Sequence, residues 1–210
     1  PTVPRSLLCG GTHWSSAFCD RSYEAGAILG PMRVVAGSAR GRRLLSLPGE
    51  TIRPTSDRVR EAVFNALHSR AAVTGAVGLD LFAGTGALGI EALSRGADHV
   101  TFVDSSLECT KVVEANLAAC GLADRAEVVV ADGPDWLGAN PGPWDLVLLD
   151  PPYAFDGWAD LLEGPMIRAV TGKGTVVVES DRRIETSQLW NVGTTRRYGS
   201  TVVTLLTPTD

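Results

Sequence analysis

Residues 79–89, Leu79-Asp80-Leu81-Phe82-Ala83-Gly84-Thr85-Gly86-Ala87-Leu88-Gly89, run from an apolar strand through a glycine-rich turn into the start of a helix. Glycines in such a turn let the backbone approach a ligand closely. The spacing Gly84, Gly86, Gly89 also satisfies the pattern in which a dinucleotide's pyrophosphate rests on a helix N-terminus. That spacing alone does not choose between cofactors. Asp80 tips the balance, because a carboxylate just ahead of the loop repels a pyrophosphate and attracts the ammonium end of an amino-acid-like ligand.

Outward from this turn the chain alternates with regularity. Strands are expected at Val77–Phe82, His99–Val103, Ala126–Val130, Asp145–Leu149 and Thr175–Glu179. Helices are expected between them at Ala87–Arg95, Ser106–Cys120, roughly Asp132–Leu137 and Trp158–Val170, with Ser105 and Glu108 as a capping box and Gly121 as a stop. Such alternation means a parallel sheet covered on both faces. Asn191–Tyr198 and Thr201–Leu206, joined by Gly199-Ser200, read as a terminal antiparallel hairpin. The expected fold is α/β and Rossmann-like, a mostly parallel sheet ending in that hairpin.

Three further aspartates end successive strands, where open sheets bind ligands. Asp104, twenty residues past Gly84, is placed to hydrogen-bond a ribose diol, and Asp132 to accept from an adenine amino group. An ammonium, a ribose and an adenine together describe S-adenosylmethionine. Asp150-Pro151-Pro152-Tyr153 follows the next strand on the same edge. An exocyclic base amine is a poor nucleophile because its lone pair is delocalised into the ring. Asp150 and the Pro151 carbonyl are suited to accept its two hydrogens, Pro152 stiffens the turn, and Tyr153 can stack on an unstacked base.

At 44% hydrophobic and 20% charged residues, the 210-residue chain has the composition of a folded domain, and disorder is excluded except locally. No run of about 18 apolar residues is present, so no membrane-spanning helix is expected. The net charge of −5 argues on its face against a nucleic-acid partner. Counted by segment it does the opposite. Residues 32–60 carry seven Arg against Glu50 and Asp57, a net +5, whereas residues 61–210 carry ten basic against twenty acidic groups. A basic arm on an acidic body points to a polyanion. Within that arm, Met32–Gly37 and Arg42–Leu47 read as a hairpin, and Val59, Ala62, Val63, Ala66 and Leu67 mark one face of a helix started by Ser56 and Asp57. Residues 1–31 show neither period and are expected to be a disordered extension ahead of the arm at 32–52 and the main domain at 53–210.

No Cys follows Pro, so the Pro-Cys nucleophile of cytosine-C5 methyltransferases is missing. Cys109 and Cys120 lie on one expected helix, roughly 16 Å apart, too far to bridge. His13, His68 and His99 are too dispersed for a metal, and none is expected.

Residues 32–207 resemble the class I methyltransferases that modify guanine N2 of bacterial 16S ribosomal RNA at position 966. The likeness rests on Arg53-Pro54-Thr55-Ser56-Asp57-Arg58-Val59-Arg60-Glu61, on Asp80 to Gly96 around the glycine loop, and on Asp150-Pro151-Pro152-Tyr153. It implies a seven-stranded sheet, S-adenosylmethionine as donor, and 16S rRNA in the small subunit or its precursor as partner, for a cytoplasmic, monomeric enzyme. It assigns the donor to Asp80, Phe82, Gly84, Thr85, Gly86, Asp104, Ser105, Asp132, Gly133 and Thr55. It assigns the base to Asp150, Pro151, Pro152 and Tyr153, and RNA to Arg33, Arg40, Arg42, Arg43, Arg53, Arg58 and Arg60. The residues themselves leave open adenine N6 of DNA or another RNA, an NAD-dependent oxidoreductase, and a donor-binding protein without catalysis.

Overall fold

The computed structural model of the chain describes residues 28–47 and 56–209. Seven strands form one sheet in the order β5-β4-β3-β6-β7-β9-β8. They are β3 (Val77–Leu81), β4 (His99–Asp104), β5 (Ala126–Val130), β6 (Trp144–Leu149), β7 (Val170–Ser180), β8 (Trp190–Tyr198) and β9 (Thr201–Pro208). From β3 to β7 the pairings are parallel, and β9 pairs antiparallel with both β7 and β8. The chain leaves β3 toward β4 and β5 on one side, then crosses to β6 on the other. A crevice at the carboxyl ends of β3 and β6 is therefore built into the topology.

Alternation along the strands sends successive side chains to opposite faces. Phe102, Leu146, Leu148 and Val177 face a core shared with α1 (Ser56–His68), α2 (Ala87–Ser94) and α3 (Leu107–Cys120). Leu81, Val103, Val147 and Leu149 face a second core with α4 (Gly133–Ala139) and α5 (Trp158–Leu161). Close packing explains the third glycine of the loop pattern. A Cβ on Gly89 would lie 2.3 Å from Cε1 of Phe102, so only glycine lets α2 lie this near β4.

Several boundaries differ from the sequence reading. The expected helix Trp158–Val170 is broken: α5 ends at Leu161, a π-helical turn spans Leu162–Met166, and α6 (Ile167–Ala169) is a remnant. Pro165, which has no N–H to donate, sits inside that turn. The first strand of the arm, β1 (Ile28–Arg33), starts ahead of Met32, so the expected disordered extension gives way to strand at residue 28; residues 1–27 lie outside the described residues. It pairs antiparallel with β2 (Arg43–Ser46), and it stops at Arg33 because the N–H groups of Val35 and Ala36 turn to the Glu91 carboxylate, at 2.7 and 3.0 Å. Val34, Ala39 and Leu44 of the arm share the core of α1 to α3. Among the described residues, no helix is long and apolar enough to cross a membrane.

Candidate active site

The glycine-rich loop after β3 is held at nearly every peptide. The N–H groups of Phe82 and Ala83 both donate to Val103 O at 3.0 Å, and Gly86 N–H donates to Ala83 O at 2.7 Å. Asp104, at the end of β4, accepts from Gly84 N–H at 2.8 Å and from Ser106 N–H at 2.9 Å. The turn places Gly84 and Gly86 at φ 54° and 76°, and Phe82 at φ 71°. A left-handed phenylalanine costs about 1–3 kcal/mol and persists only where its surroundings over-determine it. Here its N–H is anchored and its ring packs on Phe155, with centroids 5.3 Å apart.

Asp80 lies beneath this loop, only 2% exposed, and its Oδ2 accepts from Gly89 N–H at 2.8 Å. That N–H is one of the unpartnered donors of the first turn of α2, the group a pyrophosphate would need. Burial pushes the Asp80 carboxyl up to about 8; the Gly89 hydrogen bond opposes the rise, and the charges of Asp150 and Asp104 add to it. The buried carboxyl therefore keeps its proton at neutral pH until a cation lies beside it.

Across the crevice, β6 ends in Asp150 and the Pro-Pro turn. Pro151 is buried, Asp150 is half-buried, and Tyr153 is exposed at 42%. Phe155 N–H donates to Pro152 O at 2.9 Å, which closes the turn. The Phe155 ring bridges Phe82 and Trp158, meeting the latter edge-on at 5.0 Å. The two loops are thus joined by an aromatic ladder.

Asp132 lies just past β5 at the start of α4, as expected, whereas Ser105 does not cap α3. Asp132 is the N-cap of α4 and accepts from Asp135 N–H at 3.2 Å. The cap of α3 is Ser106, not Ser105: its Oγ accepts from Cys109 N–H at 3.2 Å and lies 3.0 Å from Glu108 Oε2. Gly133 is buried against Leu81 and Phe82, leaving no room for a Cβ without displacement.

The arm divides the arginines into two kinds. Arg60, expected at the RNA, is instead 3% exposed, donating to Asp57 Oδ1 at 2.7 Å and to Arg33 O, with its Nε 3.6 Å from Glu91 Oε2. It braces α1 against α2 and the arm. Arg33, Arg40, Arg42, Arg43 and Arg58 are exposed. Arg33, Arg40 and Arg58, with Asp57 and Glu61, line a cleft of about 380 Å³ between the arm and α1. Arg53 and Thr55 lie outside the described residues. Glu91, Asn116 and Phe155 were missed by the sequence reading. For the first two the signal was a lone polar residue on an otherwise apolar helix face, and both prove fully buried.

A family model described as Conserved hypothetical protein 95 matches residues 32–207. The Bacillus subtilis protein YlbH is 39% identical over 161 residues, which make up 73% of this chain and 85% of that one. The Ribosomal RNA small subunit methyltransferase D of Haemophilus influenzae is 40% identical over 130 residues, 60% of this chain and 66% of that one. Among solved structures, the Escherichia coli protein yhhF superposes with a TM-score of 0.73 at 33% identity, over 85% of this chain and 98% of that one.

Proposed function

The chain belongs to the Conserved hypothetical protein 95 family, and from that premise we propose that it transfers a methyl group from S-adenosylmethionine to the exocyclic N2 amine of one guanine in 16S rRNA. The observation that carries the reading is the meeting of two loops at the switch point of the sheet: the glycine loop after β3 and Asp150-Pro151-Pro152-Tyr153 after β6, joined by Phe82 and Phe155. The name of the Haemophilus relative supports small-subunit rRNA as substrate class. The choice of guanine N2 rests on the resemblance carried by the three motifs.

The residues present fit the donor. The glycine loop allows close backbone approach, Asp80 offers a buried carboxylate to a cation, and Asp104 stands at the strand end where a ribose diol would lie. When bound, the donor supplies an electrophilic methyl group on a sulfonium. The chain's own residues do the rest. Asp150 and the Pro151 carbonyl accept the two amine hydrogens, which draws the nitrogen toward tetrahedral geometry with its lone pair aimed at the methyl group; Asp150 takes the proton that the amine sheds as the new N–C bond forms, and Tyr153 stacks on the base. Most of the rate gain is positioning. The exposed arginines of the arm and the cleft beside α1 grip RNA phosphates. Since the Gly89 N–H is taken by Asp80, the loop is poorly suited to a dinucleotide.

The test is incubation with labelled donor and, in parallel, small subunits, naked 16S rRNA, duplex DNA or NAD, followed by mapping of the modified nucleotide. Label at one guanine N2 of 16S rRNA is expected, with Asp150→Ala slowed at least ~100-fold. Label on DNA but not on subunits, or full activity in Asp150→Ala, rejects the reading.

A further inference from the structure

Asn116 sits in the middle of α3 among the buried apolar residues Val112, Val113, Ala115 and Leu117, and is itself fully buried. Its carboxamide makes three hydrogen bonds, none within its own helix. Oδ1 accepts from Leu45 N–H at 2.7 Å, and Nδ2 donates to Leu45 O at 3.1 Å and to Thr85 O at 2.9 Å. Leu45 belongs to β2 of the basic arm, two residues beyond Arg43, and Thr85 is the residue between Gly84 and Gly86 of the glycine loop. The other end of the Thr85–Gly86 peptide is fixed as well, since Gly86 N–H donates to Ala83 O. Only a primary amide has one acceptor and two donor hydrogens to match this set.

We infer that Asn116 is a positioning residue that makes the arm and the donor loop one body, so that RNA on the arm and donor in the loop strengthen each other's binding. The inference rests on the proposed roles of the arm and the loop. Its physical basis is that one carboxamide holds both Leu45 and the carbonyl of the Thr85–Gly86 peptide, so a shift of either moves the partner of the other, and such a linkage is reciprocal. Asn116→Ala orphans three buried backbone groups; Asn116→Asp keeps the shape and the acceptor for Leu45 but turns oxygen toward two carbonyls.

The experiment measures S-adenosylmethionine affinity of the full chain with and without a 16S rRNA fragment carrying the target. Wild type is expected to bind donor several-fold more tightly with RNA present. In either folded variant the affinity without RNA should fall roughly tenfold and the RNA-dependent gain should vanish. A merely structural role predicts a lower melting temperature with both quantities unchanged, and that result overturns the inference, as does a wild type with no gain. If neither variant folds, amide exchange of wild-type Leu45 decides: slowing on addition of donor supports the linkage, and no change overturns it. Methylation of DNA in place of rRNA would instead remove the functional reading, while the donor-affinity loss without RNA would still report on Asn116 and the loop.

Discussion

Asp80 holds a proton at neutral pH that an exposed aspartate would have lost. Its carboxyl is raised from 3.8 to about 8, chiefly by burial. A carboxyl raised on folding contributes stability that is fully present below the unfolded pKa and is lost as pH rises through the folded one. Asp80 therefore makes the ligand-free protein less stable between about pH 4 and pH 8. A cationic ligand beside it reverses the preference. Donor affinity is expected to rise up to ~10-fold per pH unit on approach to pH 8, with release of one proton on binding. Calorimetry in buffers of different ionisation enthalpy measures that proton, and Asp80→Asn should abolish both effects. The left-handed Phe82 is a second device at this scale, a strained residue whose ring reaches the opposite loop. Neither property was legible in the residue types. Asp80 stood out by its position before the loop, but its burial and its bond to Gly89 depend on how α2 lies on β4.

At the scale of elements, the basic arm is the feature that the charge count singled out. Its exposed arginines lie on the hairpin and the segment joining its strands, and two of them share a cleft with Arg58 of α1. Each RNA phosphate neutralised contributes roughly 0.7 to the slope of log affinity against log salt. Replacing Arg40, Arg42 and Arg43 together by alanine should lower that slope by about 2 while leaving donor affinity nearly unchanged. A salt titration of RNA binding checks this, and an unchanged slope removes the arm from the interface. Element type was well marked by period: the strands from β3 to β6 and the helices α2 and α3 fall within a residue or two of expectation. The segment after Trp158 was not, because Pro165 and the packing of Met166 in the second core convert a continuous helical period into a π-helical turn between two short helices.

At the scale of the whole molecule, the arm is held to the body at Glu91, which is fully buried and serves four groups. It accepts from Val35 N–H, Ala36 N–H and Arg95 Nε, and lies 3.6 Å from Arg60 Nε. Removing one partner from a buried ionic cluster leaves an uncompensated charge, at a cost of about 3–5 kcal/mol. Glu91→Ala is expected to lose stability on that order in denaturant unfolding and to speed amide exchange across residues 34–39 before the sheet is affected. Equal loss of protection across the sheet would show instead that arm and sheet unfold as one unit. This cluster, with Asn116, ties the basic arm to the acidic body, so the asymmetry of charge does not become an independent module.

By itself the sequence determined the alternation of strands and helices, the glycine turn, the aspartates at the carboxyl ends of β3 to β6, and the sign of charge on the arm. These are local or periodic properties, set by side chains within a few residues of one another. Tertiary structure decided which aspartate is buried beneath the loop and which caps a helix, that Arg60 braces the core while Arg40 and Arg58 line a cleft, that Glu91 joins the arm to α1 and α2, and that Asn116 joins it to the loop. Burial and hydrogen-bond partnership arise between residues far apart in the chain, 71 positions in the case of Leu45 and Asn116. No window of sequence contains both members of such a pair.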